Sequence, residues 1–161
     1  MSGPTLNALV ADDSESIHTF FQMIAARSPI PFDIVSASNG SECARLLRQN
    51  GIDIAFIDIN MPEMNGLEAL SNARLSGFKT FVTLMSSDLT NERSQTWRRL
   101  ALEHGATSLL YKPFNAEQID REIHAFYHIE RPGLESLPEK PQASLPTGLQ
   151  RAELIPQKVD D

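Results

Sequence analysis

The sequence predicts a doubly wound α/β protein, in which five helices flank a five-stranded parallel sheet. Four short apolar runs and a fifth strand pattern at 32–37 alternate with helical patterns, and apolar runs of this length are typical of strands buried in parallel sheets. The four apolar runs are followed by or end on a polar residue, namely Asp12, Asp58, Ser86 and Lys112. Because ligands of open α/β sheets bind outside the carboxyl ends of the strands, we expect these side chains to meet at one edge.

The first half of the chain carries three strand patterns separated by two helical ones. The strands are predicted at about 5–11, 32–37 and 54–58, and the helices at about 14–27 and 40–49. The first helix repeats apolar residues at i, i+3, i+4, i+7 and i+8, which gives it one apolar face: Ile17, Phe20, Phe21, Ile24 and Ala25. Asn39 is a favourable N-cap for the second helix, which stops before Asn50-Gly51.

The second half continues the alternation with three helices and two strands. The helices are predicted at about 66–76, 91–104 and from 116 onward, and the strands at about 80–86 and 107–111. Asn115 and Gln118 form a capping-box-like pair at the start of the last helix. Its apolar residues predict one buried face: Ile119, Ile123, Phe126 and Tyr127.

The length supports one domain with an appendage, which we place at 1–130 and 131–161. The last 31 residues hold five of the ten prolines and no aromatic residue, so they are not expected to fold alone. Five leucines recur in this Pro-rich tail: Leu134, Leu137, Leu145, Leu149 and Leu154. The tail is therefore predicted either to remain solvated or to dock on its own domain or on a second copy.

Charge and apolar patterning indicate a protein of the cytoplasm. The net charge of −7 argues against a sequence-independent grip on nucleic acid or on an anionic membrane. No apolar stretch reaches the roughly 18 residues of a membrane-spanning helix, and the N-terminus does not resemble a signal peptide. The single cysteine, Cys43, falls in a helical pattern and is predicted to be a small buried residue.

The predicted cluster of side chains has a chemistry of its own. Asp12, Asp13 and Asp58 would repel one another unless a cation lay among them. A divalent metal ion bound by few carboxylates would satisfy this requirement, as Mg²⁺ does in phosphoryl-transfer sites. The sequence therefore predicts a metal site beside a reactive carboxylate.

The strand ends carry D-D, then D-I-N-M-P-E-M-N-G, then S-S-D and then K-P-F. In type, order and strand position these motifs resemble the receiver domain of bacterial two-component response regulators, over about residues 5–130. The resemblance implies the strand order 2-1-3-4-5 and a cis bond between Lys112 and Pro113. Since nothing after residue 130 is long or periodic enough for a DNA-binding helix-turn-helix, we expect a stand-alone receiver without direct contact to nucleic acid.

The resemblance also implies a role for each residue at the strand ends. Asp58 would be the phosphoacceptor. Asp13 and Asp58, with the backbone carbonyl of Asn60, would hold Mg²⁺ directly, and Asp12 would act through a metal-bound water. Three donors would meet the phosphoryl oxygens: the Lys112 ammonium, the Ser86 hydroxyl and the backbone N–H of Ser87.

A sensor histidine kinase or a phosphotransfer protein is implied as the phosphodonor. Output would pass through protein contacts or onward phosphotransfer, and a homodimer through the fourth and fifth helices or the tail is a further expectation. The protein would catalyse its own phosphorylation and dephosphorylation without turning over an external substrate. Asn60 and Asp88 are small and polar and flank the implied path of the attacking water, so we predict a short-lived phosphorylated state.

Two features depart from the family's usual pattern. Leu109 stands three residues before Lys112, where an aromatic residue is common, which puts a rotating-aromatic switch in doubt. The stretch from Ser86 to Lys112 is about four residues longer than usual, about one helical turn, so the fourth helix or the loop before it should be extended.

Three other classes of protein share parts of this pattern. A haloacid dehalogenase-type aspartyl-phosphate hydrolase would need an acid at position 60, where this chain has Asn60. A flavin-binding flavodoxin-like module would need a Ser/Thr/Gly-rich phosphate loop after the first strand, where acids stand instead. A receiver-like binding module that is not phosphorylated is the third alternative, and the intact set of acids, hydroxyl and lysine argues against it.

Overall fold

The computed structural model describes residues 5–49, 51–79, 81–87 and 91–130. Within these residues, five strands and five helices alternate: β1 (Leu6–Ala11), α1 (Glu15–Arg27), β2 (Phe32–Ala37), α2 (Gly40–Arg48), β3 (Ile54–Asp58), α3 (Gly66–Leu75), β4 (Phe81–Ser86), α4 (Asn91–Glu103), β5 (Ser108–Tyr111) and α5 (Ala116–Glu130). The predicted elements are all present. The predicted docking of the tail lies outside the described residues.

The five strands form one parallel sheet in the order β2-β1-β3-β4-β5, which confirms the predicted fold class. The register aligns the strand ends, since Ala11 pairs with Ile57 and Asp58 pairs with Met85. Ser86 in turn lies beside Tyr111 on the edge strand. The residues that end or follow β1, β3, β4 and β5 therefore reach the same edge of the sheet.

Two apolar layers enclose the sheet because successive strand residues point to opposite faces. In β3, Ile54 and Phe56 join the layer packed against α1 and α5. Ala55 and Ile57 join the layer on the other face, together with residues of α2, α3 and α4. The predicted apolar face of α1 packs into the first layer, with Phe20 and Ala25 only partly buried, and all four predicted residues of α5 are buried.

The predicted helix caps form. The Asn39 side chain accepts the Glu42 N–H at 2.8 Å, and Asn115 and Gln118 exchange side-chain to backbone bonds of 2.9 and 3.0 Å. Such caps satisfy N–H groups that have no partner within the helix. Ser14 occupies the N-cap position of α1 without a side-chain cap bond.

The single cysteine is buried in the layer that faces α2, as predicted. Burial, with a smaller effect of the neighbouring Glu42 carboxylate, raises the pKa of the Cys43 thiol to about 12. The thiol is therefore protonated and unreactive in the folded protein, because the thiolate is the nucleophile. Among the residues that the structure describes, no helix is both long and apolar enough to cross a membrane.

Candidate functional site

Three carboxylates meet at the carboxyl edge of the sheet. Asp12 follows β1 and Asp58 ends β3, and both are buried, whereas Asp13 is exposed. One oxygen of each of the three lies within 4.8 Å of the others. The sequence predicted this cluster, and the structure brings all three residues together.

The Lys112 ammonium lies against two of these carboxylates. Its Nζ is 2.6 Å from Asp12 Oδ2 and 3.3 Å from Asp58 Oδ2, and the lysine is only 4% exposed. Within this group of four side chains, one ammonium faces three carboxylates. The Lys112–Pro113 peptide bond is cis, as the resemblance implied.

Backbone hydrogen bonds hold the strand ends in place. The Asp12 N–H donates to Ala37 O at 3.0 Å, and the Lys112 N–H donates to Ser86 O at 2.7 Å. The Asp12 carboxylate also accepts the Ser14 N–H through Oδ1 at 2.9 Å, which ties it to the start of α1. The buried Ser86 and the half-buried Ser87 lie at the carboxyl edge of the sheet, as the sequence predicted.

The β3–α3 loop carries Asn60, whose side chain is exposed and whose backbone N–H donates to Asp58 Oδ1 at 3.3 Å. The loop then makes a tight turn, in which the Met64 N–H donates to Pro62 O and Glu63 has φ 70°. A positive φ is uncommon for a residue with a side chain. The strained turn lies in the loop between Asp58 and the start of α3 at Gly66.

Two glycines allow this loop to pack closely. A Cβ on Gly66 would meet the Asp58 carbonyl oxygen, and a Cβ on Gly40 would meet the Met64 carbonyl oxygen. The N-terminus of α3 can therefore approach the end of β3, and the loop can lie on the N-terminus of α2. Both contacts are backbone contacts, so a larger residue would displace the loop.

The three carboxylates fit a divalent cation. Mg²⁺ prefers oxygen ligands at about 2.0–2.1 Å and keeps several waters, so opposite ligands are about 4.2 Å apart. The oxygens of Asp12, Asp13 and Asp58 lie within 4.8 Å of one another, which is only slightly more than this separation. A small closure, or a bound water between ion and carboxylate, would bring the set to that geometry.

Some contacts that bear on the site were not predicted from the sequence. The Asp12–Lys112 ion pair joins residues 100 positions apart, and only the sheet order brings them together. His18 of α1 contacts the Asp12 backbone, and nothing in the spacing of the motifs indicates this. Of the residues predicted to flank the attacking water, Asp88 lies outside the described residues.

Leu109 of β5 faces the side of the sheet that carries α4, whereas Leu110 faces the opposite layer. Leu109 is partly buried and packs into the apolar layer on the α4 side, and Tyr111 is half-buried. The position that is often aromatic in the family thus holds a packed aliphatic side chain. The doubt about a rotating-aromatic switch at position 109 therefore stands.

Comparisons with known proteins agree with this architecture. The family model "Response regulator receiver domain" matches residues 8–124. The alkaline phosphatase synthesis transcriptional regulatory protein PhoP of Bacillus subtilis (strain 168) is 31% identical over 117 residues, which cover 73% of this chain and 46% of that protein. The probable C4-dicarboxylate response regulator DctR of Priestia megaterium is 33% identical over 95 residues, which cover 58% of this chain and 39% of that protein.

A solved structure shows the same similarity. The receiver domain of the Francisella response regulator 1452 is 26% identical and superposes with a TM-score of 0.67, over 77% of this chain and 98% of that one. This chain spans less than half of the length of the two curated relatives.

Proposed function

Because the chain belongs to the response regulator receiver domain family, we propose that Asp58 is the residue that accepts a phosphoryl group. One observation carries this assignment: the Asp58 carboxylate ends β3 within 3.3 Å of the Lys112 ammonium and beside two further carboxylates. In the strand order, β3, which ends on Asp58, lies between β1, which precedes the acidic pair, and β5, which precedes Lys112. The comparisons give no support to a haloacid dehalogenase-type hydrolase.

The proposed reaction is the transfer of a phosphoryl group from a phosphohistidine. An Asp58 carboxylate oxygen attacks the phosphorus, a P–O bond forms, and the P–N bond to the donor imidazole breaks. The imidazole leaves with the electron pair of that bond and takes up a proton, and Asp58 becomes an acyl phosphate. Catalysis of this kind depends on positioning and on electrostatic stabilisation.

Lys112 has a defined part in this transfer. In the structure its ammonium contacts Asp12 and Asp58, so it already lies within reach of an oxygen bound to Asp58. A phosphoryl oxygen would compete for the ammonium with the Asp12 carboxylate. We expect Lys112 to exchange that partner on phosphorylation, with the Ser86 hydroxyl and the Ser87 N–H donating to other phosphoryl oxygens.

Asp13 and Asp58 would hold Mg²⁺ together with the backbone carbonyl of Asn60, and Asp12 would act through a bound water. When bound, the ion would neutralise charge on both the carboxylate and the incoming phosphoryl group. The proposal requires no other cofactor. The convergence of three carboxylate oxygens within 4.8 Å of one another supports it.

The proposed donor is a sensor histidine kinase or a phosphotransfer protein, and the proposed location is the cytoplasm. The chain would act as a stand-alone response regulator, by protein contacts or by onward transfer. A homodimer through α4 and α5 or through the tail is a further proposal. Sedimentation of phosphorylated and unphosphorylated protein would detect it as a change in mass that depends on phosphorylation.

The proposal is tested with a small phosphodonor, which requires no knowledge of the kinase. Wild-type protein and the Asp58→Asn variant are incubated with acetyl phosphate, with and without Mg²⁺, and their intact masses are measured. We expect a single phosphoryl adduct on the wild type that depends on Mg²⁺ and is absent from Asp58→Asn. An equal adduct on the variant would contradict the assignment, and no adduct on either would favour a binding module that is not phosphorylated.

A further inference from the structure

His18 lies on α1, on the side of the helix that faces the end of β1. Its Nε2 is 2.7 Å from the backbone oxygen of Asp12, six residues earlier in the chain. Because a carbonyl oxygen only accepts hydrogen bonds, Nε2 must carry the hydrogen in this contact. This hydrogen bond joins the His18 side chain on α1 to the Asp12 backbone in the candidate site.

The surroundings of the other ring nitrogen indicate why a histidine stands at position 18. Nδ1 of His18 is buried and has no hydrogen-bond partner among the described residues. A buried polar atom without a partner is unfavourable, and an apolar side chain at this position would avoid it. Simple filling of space therefore does not explain a histidine here, whereas the Nε2 bond to Asp12 does.

The bond completes a set of restraints on Asp12. Its N–H donates to Ala37, Oδ1 accepts from the Ser14 N–H and Oδ2 accepts from the Lys112 ammonium. These contacts restrain the backbone N–H and the carboxylate of Asp12. The His18 contact acts on the carbonyl, which belongs to the peptide group that joins Asp12 to the next residue.

The orientation of that peptide group determines the position of the Asp13 Cα, from which the side chain extends. Asp13 is exposed, so its carboxylate is not enclosed by apolar packing as Asp12 and Asp58 are. A peptide group is planar, and holding its carbonyl oxygen also fixes the direction of its N–Cα bond. The Asp13 carboxylate oxygen lies within 4.8 Å of those of Asp12 and Asp58, and this placement depends on the orientation of the preceding carbonyl.

We propose that His18 is a positioning residue, which orients the Asp12–Asp13 peptide so that the exposed Asp13 carboxylate completes the cation-binding set. This inference rests on the proposed function, since it concerns the affinity of the same cluster for Mg²⁺. His18 itself touches neither the cation nor the phosphoryl group. Its effect should be seen in Mg²⁺ affinity before any phosphodonor is added.

Three variants separate the hydrogen bond from the bulk of the side chain. His18→Gln places an amide N–H near the position of Nε2 and keeps the donor. His18→Asn is polar but shorter, so its amide does not reach the Asp12 carbonyl, and His18→Leu removes the donor while keeping apolar volume. Mg²⁺ dissociation constants are measured by titration calorimetry, and the free energy of unfolding is measured in urea without Mg²⁺.

We expect His18→Leu and His18→Asn to bind Mg²⁺ about 3- to 10-fold more weakly than wild type, the effect of losing one net hydrogen bond. His18→Gln should bind within about 2-fold of wild type, a rescue that a role in stability alone would not produce. If His18→Leu does not fold, the comparison of His18→Asn with His18→Gln carries the test.

Two results would overturn the inference. In one, the variants that lack the donor bind Mg²⁺ as tightly as wild type, even though their free energies of unfolding have fallen. In the other, His18→Gln binds as weakly as His18→Asn. If wild-type protein itself did not bind Mg²⁺, the proposed function would fail, and that result is distinguishable because it appears before any variant is compared.

Discussion

Replacing Lys112 with Met removes the ammonium and keeps a linear side chain of similar volume. Asp12 and Asp58 then lose the cation that lies 2.6 and 3.3 Å from their oxygens, in a site where both acids are almost fully buried. Breaking a buried ion pair on one side typically destabilises a protein by about 3–5 kcal/mol, because a buried charge is left uncompensated. This is a large part of a typical total stability of about 5–15 kcal/mol.

Urea unfolding, followed by circular dichroism with and without saturating MgCl₂, measures this loss. Without Mg²⁺ we expect Lys112→Met to be less stable by about 3 kcal/mol or more. Mg²⁺ should stabilise the variant more than wild type, because the ammonium no longer occupies two of the carboxylates. Lys79→Met is the matched control, since Lys79 is exposed, and its stability should change by less than about 0.5 kcal/mol.

A double-mutant cycle measures the interaction free energy between Lys112 and Asp12. If Lys112 and Asp12 interact as the structure shows, Lys112→Met and Asp12→Asn together should destabilise less than the sum of the two single changes, by about 0.5–3 kcal/mol. Additive effects, or a Lys112→Met variant as stable as the Lys79 control, would refute the reasoning. A variant that Mg²⁺ stabilises less than wild type would mean that the lysine helps to hold the cation.

Four further predictions concern α5, Cys43 and the β3–α3 loop. Glu122 of α5 accepts the buried Thr83 hydroxyl at 3.0 Å, so Glu122→Ala should lower the free energy of unfolding by about 1–3 kcal/mol, whereas Glu117→Ala, in an exposed ion pair, should change it by less than about 1 kcal/mol. The Cys43 thiol should resist Ellman's reagent until the protein unfolds. Since the folded pKa of Cys43 is raised from 9.0 to about 12, its contribution to stability is complete below pH 9 and is lost as the pH rises toward 12. Asn60→Met should slow the loss of phosphate, measured as decay of the adduct after the donor is removed, and an unchanged decay would show that this side chain does not govern the attacking water.

The fold could be predicted from the sequence because the relevant signals are local. The strands β1, β3, β4 and β5 are short, mostly apolar runs, and the helix caps at Asn39 and Asn115 depend on residues three positions apart. The meeting of Asp12, Asp58 and Ser86 follows from a general property of parallel sheets, whose carboxyl ends share one edge. These features need no knowledge of tertiary contacts beyond the strand order.

The hydrogen-bond and ion-pair partners of individual polar groups were harder to predict from the sequence. Lys112 was expected to meet a phosphoryl group, and its contact with Asp12 depends on the register of β1, β3, β4 and β5. His18 contacts a backbone carbonyl, which every residue possesses, so the sequence contains no signal for it. Glu122 joins hydroxyls of β4 and β5 that are 39 and 14 residues away.

The central claim is that Asp58 is the residue that carries the phosphoryl group, and reductive trapping tests it most directly. Borohydride reduces an acyl phosphate to an alcohol, so a phosphorylated aspartate becomes homoserine and keeps a mass label after digestion. Wild-type protein treated with acetyl phosphate and Mg²⁺, then with borohydride, should yield homoserine at position 58 and at neither Asp12 nor Asp13. Homoserine at either of those positions, with position 58 unmodified, would contradict the assignment.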